Sequence, residues 1–303
     1  MRNTVKRIAV LLLAGAMLIG LVACALTLEE TPGGDATEPA TAEVTTAAST
    51  TGAKKQPVTL KIVSLNAQNA DYDTSEEPTI ESKYQKLADA ISEKNPDIVF
   101  LQECNTSVSA EAIRQRMANK TKYALVSEAG ATAMLIYNRD VFTLQGHGSR
   151  KIGEENDANG SKYERYLVWA QLQHKDVSTP IVVSPVHVDY VTKACKAQLD
   201  MIVQYLKDNF PQVPFILGGD FNAEIGTVSA TSLTTEGYLN AGTAATEKIN
   251  GDEKTFPEKG QIIDFIWYKR GVAYNATATK YEVVMDALPT DHRMIYAEIT
   301  LSR

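Results

Sequence analysis

The sequence is short of cysteine, of net positive charge and of internal repetition, and each shortage removes a class of explanation. Three cysteines in 303 residues cannot form a disulfide framework that substitutes for a hydrophobic core. Lysine and arginine number 30 against 37 acids, a net charge of −7. That balance argues against a broad basic nucleic-acid footprint, though not against an enzyme that touches only a few phosphates. No repeat is visible, which removes solenoids and propellers. What remains is 44% apolar and 22% charged, an ordinary globular composition with enough apolar material for a sizeable core. The length fits one large domain or two small ones.

The first 24 residues do not read as part of that core. Arg2, Lys6 and Arg7 precede the apolar run Ile8 to Leu21, and Leu21-Val22-Ala23-Cys24 supplies a small-residue cleavage site ending in cysteine. The pattern resembles the signal sequence and lipobox of bacterial lipoproteins. The resemblance implies cleavage before Cys24 and a diacylglyceryl group on its thiol, and two acyl chains hold a protein stably on a membrane. The apolar run is short for an uncleaved membrane helix, which is the alternative. Cleavage would lower lysine plus arginine from 30 to 27 against 37 acids, a net charge of −10. Residues 25–56 are rich in Thr, Ala, Glu, Gly and Pro without apolar periodicity, so they read as a disordered tether carrying a domain at 57–303 outside the cytoplasm. Cys104 and Cys195 are left either to pair or to lie buried as free thiols.

Within 57–303 the pattern alternates strands with helices. Val58 to Leu65 reads as a strand, Ile80 to Lys94 as a helix stopped by Asn95-Pro96, and Asp97 to Leu101 as a second strand. A helix over Ser109 to Asn119, with Ser109 as its N-cap, precedes strands at Tyr123–Val126, Thr132–Tyr137 and Tyr163–Gln173. Gly146 to Lys162 is expected to be a polar loop. Pro180 to Val188 reads as a strand, Val191 to Asn209 as a helix and Val213 to Leu217 as a buried strand. Residues 227–261 have little periodicity and predict a short helix and a long rim loop. Strands follow at Ile262–Lys269, Tyr274–Met285 and Met294–Leu301. The alternation favours an α/β domain with one continuous core.

The polar residues at the strand ends carry the functional signal. Asp220 and Asn222 follow Gly218-Gly219 at the end of a buried strand, two residues apart, so their side chains point the same way while Phe221 turns back into the core. A carboxylate beside an amide suits the capture of water, and equally suits a capped turn. Asn66, Glu103, His187, Asp189, Asp264, Asp291 and His292 also adjoin apolar strands, and such residues converge on one rim when a sheet carries an active site. His147 and His174 read as surface residues, Asp189 as a structural support for the His187 loop, and the acids from Asp71 to Glu77 as a solvated loop.

The ordered series Ser64-Leu65-Asn66, Gln102-Glu103, His187-Val188-Asp189, Gly219-Asp220-Phe221-Asn222, Ile263-Asp264-Phe265-Ile266 and Thr290-Asp291-His292-Arg293 resembles the endonuclease/exonuclease/phosphatase superfamily. The resemblance implies a four-layered α/β sandwich of two face-to-face sheets flanked by helices, and a metal-dependent phosphohydrolase. Carried over residue by residue, it implies Glu103 as a metal ligand with Asn66 and Asp291 beside it. Asp220 would activate water, and Asn222 would position that water or a phosphate oxygen. His292 paired with Asp264 would stabilise the phosphoryl oxygens, and His187 would serve the leaving group. Arg165 is a further candidate phosphate contact. The implied cofactor is Mg²⁺, with Mn²⁺ or Ca²⁺ as alternatives. Gln68 stands where abasic-site endonucleases often carry an acid, which argues against a second metal. Ala223-Glu224 lacks the aromatic and basic residues of the inositol 5-phosphatase branch. The expectation is therefore a monomeric, surface-anchored nuclease. A phospholipid or sugar-phosphate phosphodiesterase of sphingomyelinase type comes next, and an inactive binding lipoprotein is the rival of another class.

Overall fold

A computed structural model describes residues 56–70, 79–104 and 106–303, all of which lie in the compact unit Thr51–Arg303. The expected leader, Cys24, the tether up to residue 55 and the acidic run Asp71 to Glu77 fall outside the described residues. Two mixed sheets pack face to face. The first orders its seven strands as β10 (Glu247–Ile249), β12 (Asn275–Val283), β13 (Ile295–Ser302), β1 (Val58–Asn66), β2 (Ile98–Gln102), β4 (Met134–Asn138) and β3 (Tyr123–Val126). The second orders six as β5 (Phe142–Gly153), β6 (Arg165–His174), β7 (Ile181–His187), β8 (Phe215–Asp220), β11 (Asp264–Lys269) and β9 (Leu239–Asn240).

Three apolar clusters show why the central strands read as near-continuous hydrophobic runs: both of their faces are covered. Between the sheets, Leu60, Ile62 and Phe100 of the first meet Val183, Ile216 and Ile266 of the second. The alternate residues Val63, Leu65 and Leu101 face outward, onto Tyr84, Leu87 and Ile91 of α1 (Ile80–Glu93) and Ile113 of α2 (Ser107–Arg116). On the far side Val186, Leu217 and Trp267 pack against Leu199, Ile202 and Leu206 of α3 (Thr192–Asn209). Helix, sheet, sheet and helix make the expected four layers.

Helix α1 starts where Thr79 Oγ1 accepts from Ser82 N at 3.3 Å and ends before Asn95, whose φ is +44°. Helix α2 corrects an expectation. Its N-cap is the extended residue Thr106, and Ser109 lies inside the first turn with its hydroxyl donating back to Thr106 O at 3.0 Å. A second correction is larger, because Gly146 to Gly153 is not a loop but the bulk of strand β5, hydrogen-bonded along β6. Its two internal glycines erased the apolar alternation, and the Trp169 indole of the neighbouring strand covers the space above them. A Cβ added at Gly148 would lie 3.1 Å from that ring. His174 is likewise buried rather than on the surface, packing edge-to-face on Phe142 at 5.3 Å and accepting from Asp176 N. His147 is about half exposed, as expected, beside Glu128. Cys104 and Cys195 are buried free thiols. Among the described residues no helix is long and apolar enough to cross a membrane.

Candidate active site

Strand direction gathers the chemistry. Asn66, His187 and Asp220 are the last residues of β1, β7 and β8, and Glu103 immediately follows β2. The strands of each parallel pair, β1 with β2 and β7 with β8, therefore end at the same edge. Antiparallel neighbours reach that edge with their first residues instead: Arg165 opens β6, Asp264 opens β11, and Asp291 and His292 precede β13. Register completes the arrangement by setting Asp264 opposite Asp220.

Two glycines allow close packing there, one between the sheets and one between neighbouring strands. A Cβ on Gly218 would fall 2.1 Å from the Phe100 ring of the opposite sheet, and one on Gly219 would fall 1.9 Å from Val186 O of the adjacent strand. Neither position accepts a side chain without displacing Phe100 or the backbone of β7. Glu103 and Asn222 hold left-handed backbone conformations, with φ of +56° and +47°. Such conformations are costly in non-glycine residues and collect at functional sites.

The resulting cleft holds ≈ 450 Å³ and is lined by Glu103, Arg165, His187, Asp220, Asn222, Asp291 and His292 among others. Asn66 is fully buried and joins two of the acids. Its Nδ2 donates to Glu103 Oε1 and to Asp220 Oδ2, both at 3.1 Å, and its Oδ1 accepts from Gln68 N. Asn69 N donates to the other oxygen of Glu103 at 2.9 Å. Asp220 Oδ1 accepts from Asn222 N at 2.9 Å, and Asn222 Nδ2 donates to Val188 O. Every site residue expected within the described chain therefore comes to this cleft or directly supports it.

Two histidines flank Asp220. Each places its Nε2 3.8 Å from Asp220 Oδ2. His292 Nδ1 is 2.9 Å from Asp264 Oδ2, and Phe256 stacks on the imidazole at 4.6 Å between centroids. Burial opposes a charge on His292, but Asp264, followed by Asp220 and Asp291, outweighs it and raises the pKa to about 9. His187 instead has the Arg165 guanidinium 3.2 Å from Nδ1 and 3.3 Å from Nε2. Burial, Arg165 and His292 all push its pKa well below the usual histidine value. It is neutral, so one ring nitrogen accepts from Arg165 and the other carries the proton. Burial and the Asp264 carboxylate lift Asp220 to about 7, against the opposing pull of His292. Burial also raises Asp291, with Glu103 adding to the shift and His292 opposing it.

The donor set fits a hard divalent cation. Asp220, Asp264 and His292 bring potential ligand atoms within 4.8 Å of one another, and Glu103 and Asp291 line the same cleft. Oxygen ligands with surplus negative charge are what Mg²⁺, Mn²⁺ and Ca²⁺ take. His292 Nδ1 is committed to Asp264, and Glu103 and Asp291 are cleft carboxylates outside that pair that could hold an ion, with the Asn66 amide setting Glu103 in place.

Sequence reasoning missed several supporting residues. Thr255 is fully buried; its hydroxyl accepts from Ile263 N and Asp264 N, and its carbonyl accepts from Arg293 N, which ties the Asp264 strand to the His292 segment. Phe256 follows it. Both lie in the stretch without periodicity, where no local signal marks them. Thr290, already in the motif, donates its hydroxyl to Asn66 O at 2.8 Å.

This chain belongs to the endonuclease/exonuclease/phosphatase family, whose profile matches residues 63–292. The family unites phosphoric ester hydrolases. Among solved structures, a family protein from Bacteroides thetaiotaomicron superposes with a TM-score of 0.70 at 18% identity, covering 81% of this chain and 98% of that one. A mannosyl-6-phosphatase from the same organism gives 0.68 at 17% identity, covering 79% and 99%. D. rerio TDP2 complexed with a single-strand DNA product gives 0.62 at 16% identity, covering 80% and 98%. At these identities the likeness is one of fold. Among curated proteins no sequence matches.

Proposed function

We propose that the chain is a divalent-metal-dependent phosphoric ester hydrolase held outside the cell by a lipid on Cys24, with a nucleic-acid phosphodiester as its first substrate class. The observation that carries the hydrolase reading is the placement of Asp220 between two buried imidazoles at one acid-lined cleft. Glu103 and Asp291, with Asn66 supporting them, would hold the metal. When bound, that ion neutralises phosphate charge and polarises the bond that breaks. Asp220, with its pKa near neutrality, accepts the proton of the attacking water. Asn222 has a free carboxamide oxygen to orient that water, since its Nδ2 is committed to Val188 O. His292, kept positive by Asp264, stabilises the phosphoryl oxygens. His187, neutral and oriented by Arg165, donates a hydrogen bond to the leaving oxygen.

One observation favours a small or single-stranded ester over duplex DNA. The lining acids Glu103, Glu164, Asp220 and Asp291 face only Arg165 and His292 as positive groups among the described lining residues. A duplex needs a run of cations along its backbone, whereas a short single strand or a sugar-phosphate ester needs only the metal and Arg165. The structural neighbours include both a protein complexed with a single-strand DNA product and a mannosyl-6-phosphatase.

The test is turnover by the full-length chain in detergent, with and without Mg²⁺, on single-stranded DNA, plasmid, sphingomyelin and hexose phosphates. Wild-type protein is expected to be active only with the metal, and Asp220→Asn to lower kcat by about 10²–10⁴. Equal activity of Asp220→Asn would overturn the mechanism. Absence of turnover on the whole panel would favour a binding protein. Mass spectrometry of the mature N-terminus tests the anchor: an unmodified chain retaining residues 1–23 removes it.

A further inference from the structure

Two tyrosines at the mouth of the cleft have no role in the chemistry above. Tyr163 and Tyr190 both line it, are 52% and 56% exposed, and meet edge to face with ring centroids 6.3 Å apart. Behind Tyr163 the Arg165 guanidinium lies 5.0 Å from the ring centroid, so one flank of the aromatic pair adjoins the side chain that contacts His187. Large aromatics left half in water are ordinary when scattered singly. A pair fixed beside a phosphohydrolase cleft is a different case.

The pair is fixed by one buried carboxylate. Asp189 is fully buried, and its Oδ2 accepts from Ser161 Oγ at 3.0 Å, Lys162 N at 2.7 Å and Tyr163 N at 3.2 Å. Its Oδ1 accepts from Val191 N at 2.9 Å, on the far side of Tyr190. Gln198 of α3 closes the network by accepting from Asp189 N and donating to Ser161 Oγ. The two loops that carry the tyrosines are thus joined through a single residue. A tyrosine on a set backbone has only two side-chain torsions left to order, so it offers contact area at little entropic cost.

We propose that Tyr163 and Tyr190 form a ring-recognition rim: they hold the flat face of a ring, a nucleobase or a pyranose, carried on the ester whose phosphate occupies the cleft, and Asp189 is the positioning residue that presets them. This rests on the phosphoester reading above and narrows it to esters of ring-bearing alcohols. Stacking on an aromatic face is tolerant of ring identity, while the acids of the cleft disfavour a second phosphate nearby. A single phosphate next to one ring is the substrate that both features accept.

The experiment compares AMP and glucose 6-phosphate with glycerol 3-phosphate, which has the same phosphate and no ring. Binding is measured by calorimetry on Mg²⁺-loaded, full-length His292→Ala protein, and turnover on protein with His292 intact. Tyr163→Ala and Tyr190→Ala are each expected to weaken binding and raise KM for a ring-bearing ester by about tenfold. The values for glycerol 3-phosphate and kcat should stay unchanged. Tyr163→Phe should restore ring binding, and Asp189→Asn should reproduce the KM effect without lowering kcat. An effect confined to AMP identifies a base, and one confined to glucose 6-phosphate identifies a pyranose face; either supports the rim. Equal losses for ring-bearing and ring-free esters, or no preference for a ring in the parent protein, overturn it. Ring-selective binding without turnover of these monoesters or of the nucleic-acid and sphingomyelin substrates above would keep the rim and remove the hydrolase reading. Because both rings are more than half exposed, the alanine variants are expected to fold, which an unchanged thermal midpoint would verify.

Discussion

His187 and His292 occupy mirror positions about Asp220, equally buried and equally distant from its Oδ2, yet one is neutral and the other cationic. Burial alone would neutralise both, since it disfavours the imidazolium wherever it acts. His292 escapes because Asp264 is hydrogen-bonded to its Nδ1 and the register of β11 on β8 keeps that acid in the site. His187 has the same burial with a guanidinium in place of the carboxylate. Neighbour charge therefore decides which imidazole acts as a cation and which as a neutral donor. One carboxylate between them can then be tuned near neutrality, where proton transfer from water is most effective.

The largest way to break this asymmetry is Asp264→Asn. Without the acid, burial should dominate at His292 as it does at His187, and the imidazole should become neutral at pH 7. The loss in kcat/KM is expected at about 10²-fold or more, and the His292 ring protons in NMR should report a pKa below 6.5 in place of about 9. In the parent protein Asp220 must lose its proton and His292 must keep one. Activity should therefore rise through about 7 and fall through about 9, with bound Mg²⁺ drawing the acid limb lower. Linkage has a definite sign as well. The folded-state pKa of His292 is raised above its unfolded value, so its contribution to stability is complete below about pH 6.5 and is lost as pH rises through about 9. Urea unfolding of metal-free protein should show Asp264→Asn converging on the parent at high pH. A constant gap between the two across pH would count against the assignment.

The reciprocal change sharpens the same comparison with a smaller effect. Arg165→Gln removes the cation that holds His187 down and leaves a hydrogen-bonding side chain. The His187 pKa should rise toward that of an ordinary imidazole, still limited by burial, and kcat should fall by about tenfold, the worth of one charge-assisted hydrogen bond. The alkaline limb set by His292 should move little. A drop that matched Asp264→Asn in size and pH profile would mean that the two histidines do not play separate parts.

The asymmetry was only half legible in the sequence. Both histidines and Asp220 stand at the ends of apolar strands, and the order of the short motifs was enough to gather them in one site. Their partners are set by register and by crossing chains. Nothing local predicts that Asp264 faces Asp220, or that Arg165 turns onto His187 rather than outward as a surface cation. The same divide runs through the fold. Strands β1, β2, β7 and β8 were readable as near-continuous apolar runs covered on both faces, and helices α1 and α3 because their buried faces repeat at the helical period. Strand β5 was not, because Trp169 on the neighbouring strand supplies the cover that Gly146 and Gly148 lack. Thr255 and Phe256 support the site from a stretch whose only pattern is tertiary.

Phe256 gives the finest test, because it touches one histidine through its ring face. It lies parallel to His292 at 4.6 Å with an interplanar angle of 8°, so it shields the imidazole and offers its π-face to the charged form. Phe256→Leu keeps the apolar cover and removes the π-face. A cation over an aromatic face is worth about 0.5–1 kcal/mol, so the His292 pKa should fall by less than about one unit and kcat/KM by a few-fold. If charge is what distinguishes the two histidines, that loss should appear mainly on the alkaline limb of the pH profile. A loss spread evenly over pH would mean that Phe256 acts only as packing, and that Asp264 sets the charge of His292 unaided.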